Sequence, residues 1–152
     1  MSKSQQLLHE FSDIIVTGQI TNQGSVYSAT ESLTAAATLD ASDSSKVFFL
    51  NLAGAFTVSL GPATAGASHT FIVGTAPSGA DYIIDAGSAI VHGLAVASED
   101  ALGSANATSG TPVQTVHLVD GKAQIGDRIE IVSDGTSWFA KAYVVQQDAA
   151  TF

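Results

Sequence analysis

From Leu33 onward the chain is written as short β-type runs, with turn residues roughly every eight to twelve positions. That punctuation leaves little room for helices and calls for strands that shield an apolar interior. The clearest run is Phe56-Thr57-Val58-Ser59-Leu60. Successive side chains of a strand point to opposite faces, so Phe56, Val58 and Leu60 share one face and Thr57 and Ser59 the other. Lys46 to Leu52 is apolar on both faces, as in a strand covered on two sides. Ala53-Gly54 lies between these two runs, and together they are expected to form a hairpin.

Further strands are expected at Thr70–Val73, Tyr82–Asp85, Ala89–His92, Val113–Val119, Arg128–Val132 and Trp138–Val145. Pro77–Gly79, Ala86-Gly87 and Asp120-Gly121 supply turns. Asp134-Gly135, between two β-runs, is the strongest hairpin signal in the chain. Glu99 to Thr111 is small and polar and reads as a long exposed loop. No internal repeat of solenoid type is visible. The expected fold is all-β: a compact antiparallel β-sandwich or β-barrel over residues 31–152, preceded by an N-terminal arm over residues 1–30. Most of Trp138, Phe139 and Tyr143, with Phe48, Phe49, Phe56 and Phe71, are expected to form the core between two sheets. In the arm, Leu7, Leu8 and Phe11 fall at helical spacing, while Ile14, Ile15, Val16 and Ile20 favour strand.

Composition narrows the function classes. Only 12% of the 152 residues are charged and 45% are hydrophobic, against about 25% charged in ordinary soluble domains. A surface of small neutral residues packs on a partner with few charges to strip of water. Five Lys and Arg stand against fourteen Asp and Glu, for a net charge of −9. Lys3, Lys46, Lys122, Arg128 and Lys141 are scattered, which argues against direct nucleic-acid binding and against docking on an anionic membrane. No run approaches the ~20 apolar residues of a membrane span, and the first residues lack a signal-peptide pattern. Cysteine is absent, so neither disulfides nor thiolate metal sites are available.

Chemistry-bearing motifs are sparse. His9, His69, His92 and His117 have no close i, i+4 partner, and are expected as half-exposed residues rather than metal ligands. No Gly-x-Ser-x-Gly elbow occurs, although a triad is a spatial object that sequence does not reveal. The acid pairs Asp40/Asp43, Asp81/Asp85 and Glu99/Asp100 suit turns better than acid–base catalysis or Ca²⁺ binding. A glycan hydrolase would need two carboxylates about 5–10 Å apart in a cleft, and no spacing favours one. The expectation is a chain without enzymatic activity, cofactor or metal.

Three stretches carry a resemblance: Leu33-Thr34-Ala35-Ala36 through Lys46-Val47-Phe48-Phe49-Leu50; Phe56 to Ala63 leading to Gly66 and Thr70-Phe71-Ile72-Val73; and Gly126-Asp127-Arg128-Ile129-Glu130-Ile131-Val132-Ser133-Asp134-Gly135-Thr136-Ser137-Trp138. Together they resemble small structural proteins of tailed bacteriophages, especially capsid decoration (cement) proteins and related head-fibre or tail-fibre domains. The resemblance implies a homotrimer bound to the major capsid protein on the outer capsid surface, made in the host cytoplasm and stabilising the shell. It brings no catalytic residues. Leu7, Leu8, Phe11, Ile14, Ile15 and Val16 are the candidate capsid or inter-subunit contacts, since an apolar arm can add a strand to a neighbour's sheet edge. The alternative is a phage fibre or receptor-binding module that recognises a host surface glycan, with a concave aromatic-and-acid patch near Glu99–Thr111.

Overall fold

Nearly every turn in this chain carries it across to the opposite sheet. A computed structural model describes residues 28–98 and 113–152. The strands are β1 (Thr30–Leu33), β2 (Ala37–Leu39), β3 (Lys46–Leu50), β4 (Phe56–Leu60), β5 (Ser68–Val73), β6 (Tyr82–Asp85), β7 (Ile90–Ala97), β8 (Thr115–Leu118), β9 (Arg128–Ser133), β10 (Ser137–Val144) and β11 (Ala150–Thr151). A 3-10 turn at Ala41–Asp43 follows β2. Sheet A has the order β1-β3-β5-β9-β10-β7, and sheet B the order β11-β8-β6-β4-β2. The expected all-β fold with two sheets is what is observed, and the sandwich arrangement is the one adopted.

The pairing is mixed, rather than antiparallel throughout as expected. β1, β3 and β5 run parallel in sheet A, and β2, β4 and β6 run parallel in sheet B. β7 also runs parallel to β10. Parallel neighbours need a crossover, and among β1 to β6 each crossover is a strand of the other sheet. The first six strands therefore make three flattened coils. Thr30 pairs with Val47, 17 residues on, whereas Lys46 pairs with His69, 23 residues on. Coils of unequal length leave no fixed sequence period, which is why no repeat is visible.

The expected hairpin from Lys46 to Leu60 is overturned for the same reason. β3 lies in sheet A and β4 in sheet B, so the intervening segment is an arch between sheets. Gly54 does not take the positive φ that a tight hairpin turn demands. The Asp134-Gly135 hairpin does form. β9 and β10 pair antiparallel, Gly135 has φ +100°, and the Asp134 carboxylate accepts the N–H groups of Thr136 and Ser137, each at 2.8 Å. Antiparallel pairing otherwise joins β5 to β9, β6 to β8 and β8 to β11.

The interior follows the period-2 pattern. Phe48 and Leu50, Phe71 and Val73, Ile129 and Ile131, and Trp138, Ala140 and Ala142 point inward from sheet A. Phe56, Val58 and Leu60, Tyr82 and Ile84, and Val116 and Leu118 meet them from sheet B. Each fully buried large side chain of this kind contributes roughly 1.5–3 kcal/mol. The Tyr82 hydroxyl is satisfied by the carbonyls of Leu52 and Thr75. The strands begin at Thr30, inside the stretch assigned to the arm. The rest of that arm, with Leu7, Leu8, Phe11, Ile14, Ile15 and Val16, lies outside the described residues, as does the loop expected at Glu99–Thr111.

Candidate docking face

The two sheets present different surfaces to solvent. Outward positions of sheet B carry mostly small polar groups: Thr38, Thr57, Ser59, Asp85, Thr115 and His117, interrupted by Ile83. Outward positions of sheet A are aromatic, aliphatic and basic. Cross-strand register arranges them in rows. One row runs Phe49, Ile72, Arg128, Tyr143, Val96. The next runs Val47, Thr70, Glu130, Lys141, Leu94, and the third Ser68, Val132, Phe139, His92.

Several of these side chains are exposed to a degree unusual for their type. Val132 is 46% and Phe139 45% exposed, with Ile90, Val96 and Val145 also in the open. Isolated exposed hydrophobes are ordinary, but Val132 and Phe139 are cross-strand partners and stand exposed side by side. Phe139 stacks on His92 with ring centroids 5.2 Å apart. Arg128 and Lys141 both lie over the Tyr143 ring, each 4.9 Å from its centroid. Arg128 also reaches Glu130 at 3.2 Å. A shallow depression of about 410 Å³ opens in the middle of the face, walled by Ser68, Thr70, Glu130, Val132, Phe139 and Lys141.

Charge sets this face apart from the rest of the molecule. In a chain of net charge −9, its three outward rows place two cations, Arg128 and Lys141, against one carboxylate, Glu130, while Glu31 and Lys46 of β1 and β3 pair with each other at 3.6 Å. The described acids otherwise lie mainly at turns and strand ends. Asp40 and Asp43 form a reciprocal cap on the 3-10 turn, and hydrogen bonds from Ser42 to Asp40 and from Lys46 to Asp43 hold both carboxyls below their ordinary range. Asp85 accepts the N–H of Gly87 at 2.8 Å. Asp40, Asp43 and Asp85 serve turns, as expected, while Glu99 and Asp100 lie outside the described residues.

No protein-family model, curated protein or solved structure matches this chain.

The histidines take three different positions. His92 is exposed on the sheet A face. His69 departs from the expected half-exposed state: it is 3% exposed and packs among Phe48, Phe71 and Trp138. Its Nδ1 has no hydrogen-bond partner, and burial pushes its pKa below the ordinary imidazole value, opposed by the nearby Asp43 and Asp40. His117 stands on the polar face, with Nδ1 3.1 Å from Asp81 Oδ2 and Nε2 3.2 Å from Thr115 Oγ1. The order carboxylate, imidazole, hydroxyl is that of a hydrolase triad. Here its acid is also committed to structure: Asp81 Oδ1 accepts the N–H of Asp120 at 2.8 Å, which lowers its pKa. The chain of bonds ties β8 and the turn after it to the segment entering β6. Among the described residues, no group of three His, Asp or Glu side chains is placed to hold a metal ion.

No sequence motif marks the sheet A face. Most of the seven aromatics expected in the core are there, Phe48, Phe56, Phe71 and Trp138 being buried, whereas Phe139 is exposed and Phe49 and Tyr143 are only partly covered. The signal lies in the alternation itself. Arg128, Glu130 and Val132 share one strand face, as do Phe139, Lys141 and Tyr143, and both sets mix charge with bulk.

Proposed function

We propose that this protein is a non-enzymatic structural component of a phage virion that seats on the outer surface of a capsid through the exposed face of sheet A. The observation that carries the reading is the pair of large apolar side chains left in the open side by side on that face, Val132 and Phe139. Removing such a patch from water is the main driving force for protein association. The flanking cations give it a sign opposite to the protein's net charge, which favours a partner whose contact surface is apolar and acidic. The polar hydroxyl-bearing face of sheet B, on the other side of the sandwich, suits exposure to solvent on the finished particle. The phage assignment itself comes from the resemblance of the three sequence stretches.

The test is rebinding to capsids purified without this protein. A Val132→Ser/Phe139→Ser double variant with an unchanged thermal melt is expected to lose occupancy by tenfold or more. Undiminished occupancy would overturn the reading.

A further inference from the structure

We propose that, away from the particle, the outer face of sheet A is covered by a second copy of this chain, packed face to face about a two-fold axis that runs along the strands between β9 and β10. This inference rests on the reading of that face as the contact surface, and names what occupies it in solution.

The argument comes from register. An axis in the interface, parallel to the strands and midway between β9 and β10, carries each residue of β9 to the position facing its own β10 register partner on the copy. The pairs that meet are therefore Val132 with Phe139, Glu130 with Lys141, and Arg128 with Tyr143. All three are complementary: apolar on apolar, acid on base, and cation on aromatic ring. Like charges meet in none of these pairs. A two-fold contact must be self-complementary, and this face satisfies the requirement along its central strands. On the next strands outward, the axis places β5 over β7, so Thr70 faces Leu94. Sheets stacked in this way lie about 10 Å apart, a distance the side chains here can fill.

Area sets the strength. Four strands overlap across this axis, β5, β9, β10 and β7; about 4.8 Å apart and contributing roughly six residues of about 3.3 Å each, they give a footprint on the order of 400 Å². Stable specific complexes bury about 800 Å² per partner. The pair is accordingly expected in the micromolar range, weak enough to yield the face to a particle.

Sedimentation of the purified full chain tests this. The wild-type protein is expected to sediment as a dimer at about 100 µM and to dissociate on dilution, with at least tenfold weakening in high salt. Glu130→Lys and Lys141→Glu each place like charges across the axis and are expected to be monomeric alone. Mixed in equal amounts they are expected to recover a dimer holding one copy of each. Phe139→Ser is expected to be monomeric at all concentrations, and covers the case in which a charge variant fails to fold. A wild-type monomer at this concentration, a species of three copies, or a mixture that stays monomeric would overturn the pairing. Loss of particle binding in the Val132→Ser/Phe139→Ser variant together with a wild-type monomer would overturn the pairing alone. Retained particle binding in that variant would overturn the underlying reading.

Discussion

The ring of Phe152 lies directly on the backbone of Gly93: a β carbon at Gly93 would fall 1.9 Å from Phe152 Cδ1. Any side chain at position 93 therefore evicts the C-terminal aromatic from its place at the margin of the core. Gly93→Ala is expected to destabilise the fold by roughly 1–3 kcal/mol through overpacking. The penalty should shrink when Phe152→Ala is made as well, because the clash is then gone. Urea unfolding of the two single variants and the double variant checks this; strictly additive losses would count against the contact.

Asp127, 2% exposed, ties the turn before β9 to the residue that follows β10, at one end of sheet A. Its carboxylate accepts the N–H of Gln124 and the N–H of Val145, each at 2.9 Å. Asp127→Ala strands both donors, and hydrogen bonds to a charged group are worth about 1.5–3 kcal/mol each. A loss on the order of 3 kcal/mol is expected by chemical denaturation. Hydrogen exchange at Val145 should rise more than exchange in sheet B.

Neighbouring aromatics on β10 should behave in opposite ways. Trp138→Ala removes a fully buried ring and is expected to cost roughly 3–5 kcal/mol. Phe139→Ala removes a ring on the open face and is expected to change stability by less than about 1 kcal/mol. Comparable losses in the two thermal melts would show that Phe139 is not in the open.

Acid should weaken the fold in two stages. Burial holds the pKa of His69 below its ordinary value of 6.5. As pH falls below about 6.5, the unfolded chain takes up a proton that the folded chain refuses, so stability drops with pH in that window. Asp40, Asp43, Asp81 and Asp134 are shifted below the ordinary 3.8 by hydrogen bonds. Their contribution is present above that value and is lost as pH falls further. His69→Phe is expected to abolish the first stage and leave the second. Melting temperatures recorded from pH 7 to pH 3 read both; an unchanged slope between pH 6.5 and 5 in the variant would refute the assignment.

Strand positions were legible in the sequence because alternation is a local property. Phe56, Val58 and Leu60 face the interior as their spacing demands, and Asp134-Gly135 makes the hairpin its dipeptide announces. Strand partners were less so. Phe48 and Leu50 can be buried opposite Phe56 and Val58 whether the turn at Ala53-Gly54 makes a hairpin or an arch, because both options hide the same side chains. Only long-range pairing decides, and coils of 17 and 23 residues give it no periodic trace. The docking face was present as alternation in Arg128–Val132 and Phe139–Tyr143. It was masked by the general expectation that aromatic residues belong inside. His69 is buried for a related reason: its neighbours Phe71 and Val73 set the inward parity, and a polar residue on that parity goes in with them.

Among the described strands, β9 and β10 alone are both neighbours in the chain and partners in a sheet. β7 is synthesised 47 residues ahead of β10, the strand it pairs with, as the match of Ile90 to Ser137 shows. Closing so many long loops is slow, on the millisecond-to-second scale of all-β chains with distant contacts. A nascent copy leaving the ribosome thus carries an unpaired edge for several seconds of translation, and crowded expression should favour misassembly at β7 before any other strand.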